Sequence, residues 1–128
     1  MGQETRVLIV EDNAATRSLL EQTLELEGYA VSSVADGNSA MQHILLSRPS
    51  LVLLDAMIPG IDGFEVLKRI RSDERTRDLP VLMLTAMDDA DSTWRGWSTG
   101  CDYYMNKPFD TDDLLMAVQR LAMGGATV

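Results

Sequence analysis

The sequence predicts an α/β fold in which five strands and five helices alternate to form a doubly wound parallel sheet. Short apolar runs recur along the chain with room for one helix between each pair. Two of these runs, 51–54 and 81–84, are apolar at every position, which is typical of strands covered by helices on both faces. Several runs end on a carboxylate, a hydroxyl or an amine, at the strand ends where ligands bind in open α/β sheets.

Polar residues and glycines mark the limits of the elements in the first half of the chain. Asn13 is a predicted N-cap of the first helix, which Gly28 ends. The Asp36–Gly37 pair predicts a turn, and the second helix ends ahead of Pro49. The predicted strands are residues 6–10, 29–34, 51–54, 81–84 and 103–106.

Similar signals continue in the second half. A charged loop, 73–78, separates the third helix from the fourth strand. Acidic residues open the fourth helix, which suits its dipole, and Gly100 ends it. Asp110 or Thr111 caps the last helix, which stops before the glycine pair at 124–125. The predicted helices are residues 13–27, 39–46, 63–72, 88–99 and 110–123.

The helices are predicted to pack on both faces of the sheet. The first helix is expected to bury Leu19, Leu20 and Leu24. Trp97 is expected to pack against the sheet, Trp94 to lie near the surface, and the eight methionines to belong to the core by default. Right-handed crossovers favour the flavodoxin-like strand order 2-1-3-4-5, with its topological switch point between strands 1 and 3.

Composition narrows the class of protein. A chain of 128 residues is expected to be one domain, with a core over about 6–123 and a tail or linker start at 124–128. Its formal charge of −9 argues against direct contact with nucleic acid or an anionic membrane. The single cysteine, Cys101, excludes an internal disulfide and fits a reducing compartment. No signal peptide or membrane-spanning stretch is apparent, so a cytoplasmic location is expected.

The strand ends bring together a distinctive set of side chains: Glu11, Asp12, Asp55, Thr85 and Lys107. Three carboxylates in one crevice repel one another unless a cation lies among them, and their hard oxygen atoms suit Mg²⁺. A lysine and a hydroxyl would bind an anion held on the central carboxylate. Such a set suits phosphoryl transfer onto an aspartate.

Each of these residues also has a structural explanation when it is taken alone. Asp55 could form a turn or cap a helix, Thr85 could form a turn, and Lys107 could be a solvated amine. The acidic pair at 11–12 could simply begin a helix. The joint occurrence of matching groups at neighbouring strand ends favours a functional site.

The chain resembles a CheY-like receiver domain of a two-component response regulator from about Arg6 to Met123. Four motifs carry the resemblance, in the order and spacing of that family. They are the pair Glu11–Asp12, the segment 53–63 around Asp55, the pair Thr85–Ala86, and the segment 100–109 that contains Lys107–Pro108.

The resemblance implies that Asp55 accepts a phosphoryl group from a sensor histidine kinase or a histidine phosphotransfer protein. It also implies a site for Mg²⁺, for which Mn²⁺ can substitute. Asp12 and Asp55 would bind the ion directly, Glu11 through water, and Met57 through its backbone carbonyl.

The resemblance further implies a switch. Lys107 would pair with the acyl phosphate and Thr85 would hydrogen-bond to it, and the Lys107–Pro108 peptide bond would be cis. Tyr104 would be the aromatic residue that turns inward when Thr85 moves. The change would reach a partner protein or output domain through the surface of helix 4, strand 5 and helix 5.

Some positions depart from particular branches of that family. In the branch that dimerises through ion pairs on this surface, an acid follows the position of Asp102 and an arginine lies near Ala117. This chain has Tyr103 and Ala117 there, which argues against that ion-paired dimer. A phosphorylation-dependent dimer of another kind stays an open alternative. In this family the positions of Met57 and Met87 flank the route of water to the phosphate, so the resemblance and the bulk of these side chains predict slow self-dephosphorylation.

Three other functions are compatible with parts of this sequence. A haloacid-dehalogenase-type phosphatase needs a second aspartate two residues after the nucleophile, where this chain has Met57. A flavin- or nucleotide-binding module needs a glycine-rich first turn, but residues 11–15 are acidic and lack glycine. A degenerate receiver that serves only for docking would not need all five site residues.

Overall fold

The computed structural model describes residues 4–124, which form one five-stranded parallel sheet in the order β2-β1-β3-β4-β5. The strands are β1 Arg6–Val10, β2 Ala30–Val34, β3 Leu51–Leu54, β4 Val81–Thr85 and β5 Tyr103–Asn106. The helices are α1 Ala14–Leu26, α2 Gly37–Ser47, α3 Gly63–Ser72, α4 Ala90–Thr99 and α5 Thr111–Ala122. The predicted fold class and strand order are confirmed, whereas residues 125–128 of the predicted tail lie outside the described residues.

The core has two layers, one on each face of the sheet. Successive residues of β1 point into different layers, because neighbouring side chains along a strand face opposite sides of the sheet. Leu8 and Val10 pack with α2 and α3, whereas Val7 and Ile9 pack with α1 and α5. The central strands β3 and β4 are buried at every position, as their apolar sequences predict. Among residues 4–124, no helix combines the length and hydropathy needed to cross a membrane.

Two helix starts differ from the prediction because of capping. The Asp36–Gly37 pair does not form a separate turn. Gly37 is the first residue of α2, and the Asp36 carboxylate caps it by accepting a hydrogen bond from the Ser39 N–H at 2.7 Å. Helix α4 begins at Ala90 instead of at residue 88, because the Asp89 carboxylate caps it in the same way.

Three expectations about burial are wrong. Leu19 is 50% exposed, because the buried stripe of α1 runs through Leu20 and Leu24, which lie four residues apart. Trp97 is 48% exposed, because the preceding residue, Gly96, is the one that faces the sheet. The methionines are not all in the core, since several are exposed: Met57, Met116 and Met123.

Gly63 allows α3 to start directly against the end of β3. A Cβ atom at this position would lie 2.2 Å from the backbone oxygen of Asp55 and 2.6 Å from the Cα of Ala56. Because backbone atoms cannot rotate away, Gly63→Ala is expected to lower the free energy of unfolding by about 3 kcal/mol. Gly28→Ala is the matched control, since its Cβ would meet nothing within 4 Å and only its positive φ costs about 1 kcal/mol. Equal losses in urea unfolding would contradict this account.

Cys101 is buried next to α4, where it is expected to be chemically inert. Burial raises the pKa of the Cys101 thiol from 9.0 to about 12. At pH 8 the folded protein should therefore react with iodoacetamide about a thousandfold more slowly than the urea-unfolded chain. Because the pKa is higher in the folded state, the protonated thiol makes its whole contribution to the free energy of unfolding below pH 9.0. This contribution should be lost as the pH rises toward about 12. Rapid labelling of the native protein would show that Cys101 is accessible.

Candidate functional site

The carboxyl ends of the strands gather acidic side chains in one crevice. β1 and β3 are neighbours in register, with Val10 opposite Leu54, so the residues that follow each strand come together. The Asp55 N–H donates to the Val10 carbonyl at 3.1 Å, which extends this pairing by one residue. Glu11, Asp12 and Asp55 each place a carboxylate oxygen within 4.8 Å of the others. Glu11 and Asp55 are buried, whereas Asp12 is exposed.

Lys107 reaches across the crevice to two of these acids. Its Nζ donates to Glu11 Oε1 at 2.5 Å and to Asp55 Oδ2 at 2.9 Å. Burial disfavours the charged amine, but the hydrogen bonds to Glu11 and Asp55 outweigh this effect, and the pKa of Lys107 is raised. For Glu11, burial disfavours the charged carboxylate and raises its pKa, and the nearby Asp55 charge adds to the shift. One amine, in contact with two of the three carboxylates, thus partly neutralises the cluster.

The remaining negative charge and the donor atoms fit a divalent cation. All three side chains offer hard oxygen ligands, which Mg²⁺ prefers, and the exposed Asp12 leaves space for coordinated water. The second oxygen of Asp55, Oδ1, accepts the Met57 N–H at 2.9 Å, which orients the carboxylate. Glu11 is fixed in a similar way, since its Oε2 accepts the Asn13 N–H at 3.0 Å. Receiver-type chemistry with Mg²⁺ is therefore compatible with these residues.

The loop after β4 connects the crevice to β5. Thr85 is buried at the end of β4, and its Oγ1 accepts the Met87 N–H at 3.3 Å. The Met87 carbonyl accepts two further hydrogen bonds, from the Tyr104 hydroxyl at 2.5 Å and from Asn106 Nδ2 at 3.2 Å. The main chain of Met87 therefore links Thr85 with two residues of β5.

Tyr104 lies inward, in a space that a glycine leaves open. Its ring is buried, and a Cβ atom on Gly96 of α4 would lie 2.6 Å from the ring atom Cδ2. Burial raises the pKa of the Tyr104 phenol, so it stays protonated and able to donate its hydrogen bond. The Lys107–Pro108 peptide bond, at the end of the same strand, is cis.

Met57 and Met87 face a common cleft beside the acidic cluster. This cleft has a volume of about 480 Å³ and is also lined by Asp12, Phe64 and Arg95. Met57 is 59% exposed, whereas Met87 is partly buried. The apolar side chains of both methionines therefore lie beside the entrance to the crevice.

Two residues near the site were not predicted. The Arg95 guanidinium lies 4.3 Å from the centre of the Phe64 ring, a contact that depends on how α4 docks on α3 and has no local sequence signal. Asn106 binds the Met87 carbonyl, and its place immediately before Lys107 at a strand end was the available signal. Of the five predicted residues, the structure brings Glu11, Asp12, Asp55 and Lys107 into one cluster, and Thr85 lies at the end of β4, the strand next to β3.

Comparison with known proteins identifies the family. A family model described as the response regulator receiver domain matches residues 7–119. The chain belongs to the response regulator receiver domain family. Receiver domains act as signalling switches and generally bind Mg²⁺. This membership favours neither the phosphatase nor the nucleotide-binding alternative.

The curated relatives are longer response regulators. The receiver domain described here is 41% identical over 116 residues to the DNA-binding dual master transcriptional regulator RpaA of Synechocystis, covering 91% of this chain and 48% of that protein. It is 42% identical over 110 residues to the transcriptional regulatory protein CseB of Streptomyces avermitilis, covering 86% of this chain and 46% of that protein. The chain thus spans about half the length of the curated relatives it matches.

Solved receiver domains share the fold closely. The receiver domain of the sensor histidine kinase PA1611 from Pseudomonas aeruginosa PAO1 is 30% identical, with a TM-score of 0.87 over 94% of this chain and 99% of that one. That structure has a magnesium ion coordinated in its active site cleft. The chemotaxis response regulator CheY4 of Vibrio cholerae is also 30% identical, with a TM-score of 0.86 over 93% and 99% of the two chains.

Proposed function

We propose that this receiver domain stores a phosphoryl group on Asp55 and takes it from a phosphohistidine. The donor would be a sensor histidine kinase or a histidine phosphotransfer protein. The observation that carries the proposal is the contact of the Lys107 amine with both Asp55 and Glu11 inside the acidic cluster. A cation held against one buried carboxylate can neutralise the charge that a phosphoryl group brings to it.

The proposed step is an in-line displacement. Asp55 Oδ attacks the phosphorus, the bond from phosphorus to the donor imidazole nitrogen breaks, and the imidazole takes up a proton. Lys107 would transfer its contact from the Asp55 carboxylate to an equatorial phosphoryl oxygen. The Met57 N–H already binds one oxygen of Asp55, which holds the carboxylate in a fixed orientation for the attack.

Asp12 and Asp55 would hold Mg²⁺ directly, Glu11 would act through water, and the Met57 carbonyl would complete the protein ligands. Mn²⁺ could substitute, because it also prefers oxygen ligands. When bound, the ion neutralises charge on the transferred phosphoryl group. The three carboxylates supply the negative charge that attracts it.

Thr85 is proposed to couple phosphorylation of Asp55 to a change in the surface of α4, β5 and α5. If its hydroxyl turns toward the phosphoryl group, the Met87 N–H loses its present acceptor. The loop that carries Met87 would then shift, and with it the hydrogen bonds from Tyr104 and Asn106. The surface of α4, β5 and α5 would change, so the domain acts as a switch and promotes only its own phosphorylation and dephosphorylation.

The proposed output lies in another protein or domain. Because RpaA is described as a DNA-binding transcriptional regulator, a DNA-binding output domain is one proposal for the full-length protein. The acidic receiver would not itself contact nucleic acid. The proposal places the domain in the cytoplasm, where a free thiol such as Cys101 persists.

Acetyl phosphate with Mg²⁺ provides the direct test. Intact-mass analysis is expected to find one added phosphoryl group per chain, and none after Asp55→Asn or after chelation of the metal. Beryllofluoride should bind the parent and not the variant. Absence of label on the parent under donor excess would overturn the proposal in favour of a docking module. Steady turnover of a phosphomonoester would instead indicate a phosphatase.

A further inference from the structure

An exposed apolar patch covers α4, β5 and α5. Trp94 is 72% exposed, and Trp97 lies three residues further along the same helix. The Trp97 ring contacts Tyr103 of β5, with the ring centres 6.3 Å apart. Tyr103 and the exposed Met116 of α5 line a cleft of about 440 Å³. Large exposed aromatic side chains that form a continuous patch are typical of interaction sites.

The border of this patch is mainly acidic. Besides Asp89, the cap of α4, four carboxylates lie on its elements or at their caps: Asp91, Asp110, Asp112 and Asp113. Within residues 4–124, none of these four forms a salt bridge. Asp110 and Asp113 line the cleft at the start of α5, and Arg120 is the base at its other end. The border therefore carries an excess of negative charge.

This charge argues against a second copy of the chain as the occupant. In a symmetric dimer the patch would face itself, so the acidic border of one copy would meet the acidic border of the other. Like charges placed opposite each other across an interface oppose association, and each chain carries a formal charge of −9. The same sign argues against nucleic acid and anionic membranes.

We infer that the partner presents an amphipathic helix with an apolar stripe and basic flanks. The stripe would pack on Trp94, Trp97, Tyr103 and Met116, and the basic flanks would meet the acidic border. A strand is a poorer occupant, because β5 is only four residues long and Pro108 lies just beyond it. This inference rests on the proposed function, which makes the same face the output of the switch.

Two synthetic helical peptides test the inference. Both carry leucine at positions i, i+3, i+4 and i+7, and their flanks are lysine in one and glutamate in the other. Because Trp94 and Trp97 are the two tryptophans of the chain, tryptophan fluorescence reports binding at this face directly. With beryllofluoride and Mg²⁺ present, the lysine peptide should bind at least about tenfold more tightly, and high salt should reduce the difference.

Charge reversal and a matched apolar control sharpen the test. Asp112→Lys combined with Asp113→Lys should shift the preference toward the glutamate peptide, with thermal melting used to confirm the fold. Trp97→Ala should weaken both peptides, whereas Leu26→Ser, which removes an exposed leucine from α1, should change neither. Equal binding of the two peptides, or binding of neither, would overturn the inference. A dimer in sedimentation with beryllofluoride would assign the face to a second copy.

Labelling by acetyl phosphate separates the two proposals. If Asp55 is labelled and the peptides are not distinguished, only the inference about the partner fails. If Asp55 is not labelled, the proposed function fails, and the peptide preference of the unlabelled protein still tests the charge of this face.

Discussion

Lys107→Met is expected to lower the free energy of unfolding by about 2–4 kcal/mol when Mg²⁺ is absent. The amine contacts Glu11 and Asp55, both of which are buried, and its loss leaves their charges without a cationic partner. The same change should strengthen Mg²⁺ binding about tenfold, because a positive charge a few ångströms from the ion is removed. Labelling by acetyl phosphate should slow about a hundredfold, since one electrostatic contact to the transferred group is lost.

Urea unfolding with and without Mg²⁺, together with calorimetric titration of the ion, measures these effects. Mg²⁺ should restore much of the lost stability, because it binds the folded state and replaces the missing charge. Lys68→Met is the matched control, since Lys68 is the other lysine of the chain and lies exposed on α3. If the two variants behave alike in both measurements, Lys107 does not neutralise the acidic cluster.

The strand ends were predictable because two periodic signals coincide there. Four-residue apolar runs such as 51–54 allow few alternatives to a buried parallel strand, and the residue that follows such a strand must lie at its carboxyl end. Strand order then followed from crossover handedness and chain length. The proximity of Asp55 and Glu11 could therefore be predicted without any information on their side-chain contacts. The structure places both carboxylates within hydrogen-bond distance of Lys107.

The failures arise where tertiary packing selects among similar residues. Leu19 and Leu20 are equally apolar, but only one of two adjacent helical positions can face the core. Trp97 does not pack against the sheet as expected, because Gly96 faces the sheet and accommodates the Tyr104 ring. No local sequence pattern encodes this contact between α4 and β5. The contact of Arg95 with Phe64 likewise depends on the docking of two helices.

A hydrogen-bond network formed by Arg71 and Asp102 at the amino ends of β4 and β5 could not be predicted from the sequence either. Arg71 of α3 donates to the Gly100 and Leu79 carbonyls and pairs with Asp102 at 2.9 Å. Asp102 in turn accepts the Val81 N–H at 2.8 Å. These residues are separated by up to 31 positions, so only the folded arrangement of three elements reveals their network.

Met57→Asn combined with Met87→Glu is expected to speed the loss of phosphate from Asp55 by about ten- to a hundredfold. Both methionines line the cleft of about 480 Å³ that also contains Asp12, so we expect their side chains to lie on the approach of water to the crevice. A thioether obstructs that approach and cannot hold water in line with the phosphorus. An amide and a carboxylate at the same positions can accept hydrogen bonds from water and orient it for attack.

The double variant Met57→Ala with Met87→Ala separates obstruction from orientation. It opens the cleft without supplying a hydrogen-bond acceptor, so a gain smaller than that of the polar variant would assign most of the effect to orientation of water. The measurement is the decay of phosphorylated protein after acetyl phosphate is removed, followed by intact mass. The Met57 group that donates to the Asp55 carboxylate is its main-chain N–H, so both substitutions should leave the carboxylate oriented and its labelling intact. If the polar variant loses phosphate no faster than the parent, the methionines do not control the access of water. The lifetime of the phosphate would then depend on the residues that bind it, Lys107 and Thr85.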